Sequence, residues 1–162
     1  MKYTTRATVA LATVLALPVS AETLNEALPD EYKDGIEVAV FNDWPPDEFV
    51  VDGELVGWSV DIAREMETRL GVPFNYVGTS FDAIIPGLIG KRFDAGFSSF
   101  GSTSERLKQL DFVAQRKIGT AFGIPVSSDL DITTESDACG HTIAVISGSW
   151  DNQLLDKLSQ EK

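Results

Sequence analysis

The stretch GWSVDIAREMETRLGVPFNYV, Gly57 to Val77, holds two elements of different period side by side. Ser59 is a suitable N-cap, and Ile62, Ala63, Met66 and Leu70 recur at helical spacing, so a helix is expected through Leu70. Gly71 and Pro73 stop it, and Pro73–Val77 is β-rich, which predicts a strand directly after. A helix followed by a strand within 21 residues is the repeat of an α/β fold.

The same alternation runs outward in both directions. Upstream, Ile36–Val40 (IEVAV) predicts a first strand, and the two prolines of FNDWPPDEF force the chain after it into an extended loop. Asp52-Gly53 lies between two apolar runs and predicts a type I′ hairpin, whose central residues both need positive φ. Downstream, Ser80 is placed to cap a helix through FDAIIPGLIGKRF, with a kink expected at Pro86. FDAGFSS, Phe93–Ser99, predicts a third strand and TSERLKQL a third helix. TAFGIPV (Thr120–Val126) and HTIAVIS (His141–Ser147) are further strand candidates, and GSWDNQLLDKLSQEK begins a helix with Leu154, Leu155 and Leu158 on one face. Strands alternating with helices imply a doubly wound, mostly parallel sheet. One unit spans residues 35–122, residues 123–139 form an outgoing hinge strand and linker, and residues 140–162 start a second, incomplete α/β lobe.

The chain has 162 residues, of which 43% are hydrophobic, with 13 basic and 25 acidic side chains and a formal charge of −12. Lys2 and Arg6 precede an apolar run, Ala7–Leu17, then Pro18 and the small residues Val19-Ser20-Ala21. That order predicts a secretory signal peptide over residues 1–21, too short in its apolar part for the ~20 residues of a membrane span. Residues 22–34 are a polar lead-in. Taking Lys2 and Arg6 from the 13 basic residues leaves 11 against 25 acidic ones, or −14. Such a charge excludes nucleic acid and anionic membrane surfaces as expected partners. The single Cys139 and single His141 give no metal cluster and no Cys–His nucleophile; Cys139 is either a buried thiol or has a partner elsewhere.

Ser98 and Ser99 stand at the carboxyl end of a strand, where open α/β sheets bind ligands. Ser102-x-x-Glu105 matches a capping box, which would start the third helix near Thr103 and aim its free N–H groups at the strand ends. Arg106 then lies in the first turn, where the helix dipole disfavours a cation. It fits there if it shares an anion, a carboxylate in particular, with the helix terminus; the other reading is a surface pair with an acid such as Asp111. Trp44, on the loop after the first strand, and Phe81, opening the second helix, are candidate apolar walls of a pocket, and both are also readable as core. No catalytic set emerges, because Ser98 and Ser99 have no His within their unit. No GxGxxG or phosphate loop is present, so no cofactor is expected.

Together WPPDEF, DGELVGWSVDIAREMETRLG, TSFDAIIPGLIGKRFDAGFSS, TSERLKQLDF and CGHTIAVISGS, in this order and spacing, resemble the periplasmic solute-binding proteins of amino-acid ABC importers, solute-binding family 3. The resemblance implies two α/β lobes of the type II periplasmic-binding-protein fold that close over a ligand. It implies that Trp44 packs on the ligand and Phe81 stacks on its side chain. Ser99 helps hold the α-amino group, with Ser98 beside it at the strand end, and Arg106 clamps the α-carboxylate. Ser149 and Trp150 supply the turn of lobe two that reaches the same carboxylate. It further implies a monomer in the periplasm that delivers an amino acid or similar small carboxylate to an ABC permease. Relatives with the same fold also serve as dehydratases or lytic transglycosylases, or as sensing domains of membrane receptor kinases. Three residues depart from the family pattern. Gly101 replaces the Thr or Ser that binds the α-amino group, Trp150 replaces a small residue, and Phe41 stands where members that bind basic side chains carry an acid, so Lys or Arg is not favoured as ligand.

Overall fold

The computed structural model describes residues 24–160. The expected signal peptide lies outside the described residues. β1 (Ile36–Phe41) runs through the centre of a three-stranded parallel sheet, flanked by β5 (Phe74–Thr79) on one side and β6 (Ala95–Gly96) on the other. Ile36 pairs with Phe74 and Phe41 with Thr79, while Val38 and Ala39 meet Ala95 and Gly96. A central parallel strand is covered on both faces and is therefore apolar almost throughout. Ile36, Val38, Ala39 and Val40 are all buried.

The two faces of β1 take different helices. Ile36, Val38 and Val40 pack with Ala63 of α1 (Trp58–Leu70), Val72 and Phe97, whereas Ala39 packs with Ile84 of α2 (Phe81–Ile89) and Phe93. The chain leaves β1 for β5 by way of α1, then returns past β1 to β6 by way of α2. Strand order reverses beside β1, and the crevice at the carboxyl ends of β1 and β6 is where such folds bind ligands. Between β1 and α1 lies a small antiparallel sheet of β2 (Asp43–Trp44), β3 (Glu48–Val51) and β4 (Glu54–Val56). Its β3–β4 turn has Asp52 at φ 52° and Gly53 at φ 86°, the left-handed pair that the Asp-Gly signal predicts. The lead-in is more than a tether, since Leu28 and Tyr32 pack on the α1 side of the core and Asn25 Nδ2 donates to the Leu70 carbonyl at 3.0 Å.

Several expectations are corrected. Helix α1 starts one residue before Ser59, with Gly57 at its cap, and Ser59 is buried. Gly57 has φ 128°, and a Cβ there would stand 2.1 Å from the Asp47 carbonyl oxygen, so only glycine lets the hairpin turn into the helix here. The buried face of α1 is Val60 and Ala63; Ile62 and Met66 are exposed. The third helix shrinks to a single 3-10 turn, Arg106–Lys108. Thr103 Oγ1, and not Ser102, accepts the Arg106 backbone N–H at 3.3 Å, so the Ser102 capping box does not form. Residues 109–134 and 139–149 contain no helix or strand, so neither Thr120–Val126 nor His141–Ser147 is a strand, and no other strand lies beside them among the described residues. Cys139 lies at the surface, not in a core. Helix α3 (Trp150–Gln160) forms as expected, capped by Ser149, whose Oγ accepts the Asn152 N–H at 3.0 Å.

Candidate ligand cleft at the carboxyl ends of β1 and β6

Arg106 is buried at 7% exposure. Its two terminal nitrogens donate to main-chain carbonyls, Nη1 to Gly101 at 2.8 Å and Nη2 to Gly148 at 2.7 Å. Its Cζ sits 6.0 Å from the Phe100 ring centre. No carboxylate pairs with it among the described residues, and Asp111 in particular does not. Burial pushes its pKa down, because a guanidinium gives up hydration without an opposite charge to offset it. A guanidinium has five N–H donors, so two carbonyls leave donors over for an anion. It borders a cavity of about 260 Å³ together with Phe81, Thr103 and Gly148. The cation is therefore placed for an anion without a helix terminus to help, since a three-residue 3-10 turn has no dipole of consequence.

Phe81 is held edge-on by Phe41 at 5.9 Å and lies against Phe100 at 4.7 Å, and so is both a core residue and a cavity wall. Beyond it opens a larger cleft of about 1660 Å³, lined among others by Trp44, Phe81, Ser99, Gly101, Ser149 and Trp150. Trp44 and Trp150 are both 43% exposed there. Ser98 lies beneath the cleft, its Oγ accepting the Phe41 N–H at 2.9 Å. The Ser149 N–H is spent on the Ile146 carbonyl at 3.1 Å and the Gly148 N–H on Asn152 Oδ1 at 3.2 Å, so neither points free into the cleft. The two departures at 101 and 150 lie against each other. A Cβ on Gly101 would stand 3.3 Å from the Trp150 Cβ, so glycine lets the start of α3 approach the strand-end loop closely.

Four residues of this region, Asp47, Glu48, Trp58 and Arg116, carry no assignment from sequence. Asp47 and Glu48, directly after Pro45-Pro46, are buried at 3% and 0% exposure. Asp47 accepts the Trp58 indole N–H at 2.7 Å, the Ser99 hydroxyl and the Arg116 guanidinium. Neither Glu48 oxygen has a hydrogen-bond partner of full geometry. Burial raises its pKa to about 7, with the charge of Asp47 adding to the rise and the nearby Ser98 and Ser59 hydroxyls pulling against it. The signal in the sequence was the acid pair of PPDEF, which only the fold turns inward. No group of three or more His, Cys, Asp or Glu is placed to hold a metal among the described residues, and no helix among them is long and apolar enough to cross a membrane.

The family model of the bacterial extracellular solute-binding proteins, family 3, matches residues 36–158. The chain belongs to that family. Its relatives include the lysine/arginine/ornithine-binding periplasmic protein of Escherichia coli K12, 30% identical over 115 residues, which cover 68% of this chain and 42% of that protein. The histidine-binding periplasmic protein of the same strain is 32% identical over 98 residues, 60% of this chain and 37% of that protein. Among solved structures, an ancestral arginine-binding protein bound to arginine is 35% identical with a TM-score of 0.46, covering 48% of this chain and 34% of the other. This member of family 3 thus spans less than half the length of the curated relatives it matches.

Proposed function

We propose that this chain is part of a periplasmic solute-binding component of an amino-acid ABC importer, and that its cleft binds a free amino acid or similar small carboxylate. The observation that carries this reading is Arg106: a buried guanidinium without a carboxylate partner among the described residues, bordering a cavity walled by Phe81. Burying a charge unpaired costs several kcal/mol, and a ligand carboxylate bound bidentately offsets that cost. Ser99 and the Gly101 region take the amino end, and Trp44 and Trp150 flank the ligand. The relatives named for lysine, arginine, ornithine and histidine support an amino acid as the ligand class. Export through residues 1–21, a monomeric state and docking on a permease complete the reading. A second lobe, begun in residues 140–162, closes the site, so this chain alone binds weakly.

The test is a titration of the ¹⁵N-labelled chain with each L-amino acid at millimolar concentration. Saturable shifts of the Gly101, Arg106 and Gly148 amides are expected with at least one of them. Arg106→Lys keeps the charge and loses the planar fork, and should weaken that binding about tenfold or more. A full panel that moves none of these amides overturns the proposal.

A further inference from the structure

The small cavity and the larger cleft meet at Phe81, which lines both, and one turn parts them. Arg106 and Gly148 line the small cavity and not the larger cleft, whereas Gly101, Ser149 and Trp150 line the larger cleft and not the small cavity. The turn 147–150 therefore stands between Arg106 and the larger cleft. It is stiff in itself. The Gly148 N–H donates to Asn152 Oδ1 at 3.2 Å, and Ser149 Oγ accepts the Asn152 N–H at 3.0 Å, so turn and α3 form one unit. That unit is seated on the start of α2. Gly148 has φ 74°, and a Cβ there would stand 3.0 Å from the Asp82 Cβ. The Ser80 hydroxyl, and after it the Ser147 hydroxyl, hold the Asp82 carboxyl below the usual carboxylate range, which puts Ser147 beside the same acid. Arg106 Nη1 is fixed on the Gly101 carbonyl, five positions away in its own loop, but Nη2 is spent on the Gly148 carbonyl of the seated turn at 2.7 Å.

We propose that the turn 147–150 is an autoinhibitory latch: in the ligand-free chain the Gly148 carbonyl occupies Arg106 and shuts it off from the larger cleft, and a ligand carboxylate binds Arg106 by displacing that carbonyl. This rests on the proposed function and adds a competing state to it. A carboxylate brings a full charge and two oxygens to the guanidinium fork, so it replaces a neutral carbonyl oxygen at the same nitrogen with a stronger bond. Only chains with the latch open can take the ligand, so the latch lowers the apparent affinity by the fraction that is open. Loosening the turn should therefore tighten carboxylate binding, the reverse of what damage to a binding residue does.

Phenylglyoxal modifies accessible guanidinium groups and reports the latch without any ligand. The rate at Arg106 is followed by peptide mass spectrometry, with the exposed Arg69 of α1 as internal reference. Gly148→Ala sets a Cβ against Asp82 and should speed modification of Arg106 about tenfold. Ser147→Ala removes one hydroxyl outside every helix and strand, so it keeps the fold if Gly148→Ala does not, and should speed it about threefold. An Arg106 rate equal to that of wild type in either folded variant overturns the latch. Potassium acetate, a carboxylate alone, then tests the displacement. It should shield Arg106 from phenylglyoxal at about threefold lower concentration in Ser147→Ala than in wild type, over and above potassium chloride at the same ionic strength. Equal shielding in the two, or none in either, overturns the competition between carboxylate and carbonyl. The rates without acetate involve no ligand. An amino-acid panel that fails therefore leaves the latch standing, and unchanged rates remove the latch while the result of the panel holds.

Discussion

Burial of Glu48 removes the hydration that its ionised form needs, and the adjacent Asp47 charge works in the same direction, so its pKa stands at about 7 instead of the ordinary 4.5. The sign of the consequence comes from proton counts. Between about pH 4.5 and 7 the folded chain holds a proton that the unfolded chain has lost, so stability falls as pH rises through that window and the deficit is complete above it. Its size is roughly 3 kcal/mol, at about 1.36 kcal/mol for each tenfold change in proton affinity. Glu48→Gln should therefore unfold at a higher urea midpoint than wild type at pH 8 and at nearly the same midpoint at pH 4.5. Parallel midpoints across that range would show that Glu48 titrates normally. The Gly101–Trp150 contact is open to the same kind of comparison. Gly101→Ser alone should destabilise the chain, by forcing a Cβ to within 3.3 Å of the Trp150 Cβ, and it should cost less in a Trp150→Gly background, where that Cβ is gone. Additive single effects in that cycle would mean the two positions are uncoupled.

Elements whose signals are local were legible in the sequence. The Asp52-Gly53 turn, the buried run of β1 and the Gly71 stop of α1 each depend on residues within a few positions, and each forms as read. Elements that need distant support were not. TSERLKQL has a capping pattern, but Leu107 is 55% exposed, so no packing offsets the cost of nucleating a helix and only one 3-10 turn remains. Ser59 looks like a cap in sequence, yet the fold buries its hydroxyl near Glu48, a neighbour 11 positions away. The same holds for the site. Trp44, Phe81, Ser99 and Arg106 follow from strand ends and loops, whereas Arg116 reaches Asp47 across 69 positions that no local pattern encodes. In α2, local and tertiary preferences oppose each other at Gly87. Alanine is better than glycine in a helix by about 1 kcal/mol, but a Cβ at 87 would stand 2.4 Å from Cε2 of the buried Phe93 ring. Overpacking costs about 1–3 kcal/mol, so Gly87→Ala should lower the urea midpoint. A raised midpoint would mean that the Phe93 ring yields freely.

In the chain taken as a unit, the apolar core lies between Leu28 and Phe100, and the residues beyond Phe100 are attached to it mainly by polar contacts. Arg106 reaches the Gly148 carbonyl, Trp150 covers Gly101, Arg116 reaches Asp47, and Thr120 bonds Asp151. Between Leu110 and Pro125 no backbone–backbone hydrogen bond occurs among the described residues, and Val113 and Val126 are almost wholly exposed. A stretch with exposed side chains and an unbonded backbone opens at little free-energy cost, so it belongs to the least protected part of the chain. Trypsin at low dose should therefore cut first after Arg116 or Lys117. The basic pair Lys91-Arg92 is equally exposed, but its amides are tied into the end of α2, to the carbonyls of Leu88 and Gly87 at 3.0 and 2.8 Å, and should resist. The fragment ending near residue 117 retains the whole parallel sheet with both of its helices. It should keep the hydrogen-exchange protection of β1, whose backbone pairs with β5 and β6 on either side. Cleavage at Lys91-Arg92 as fast as at Arg116-Lys117, or loss of β1 protection after the cut, would show instead that the segment beyond Leu110 holds the α/β unit together.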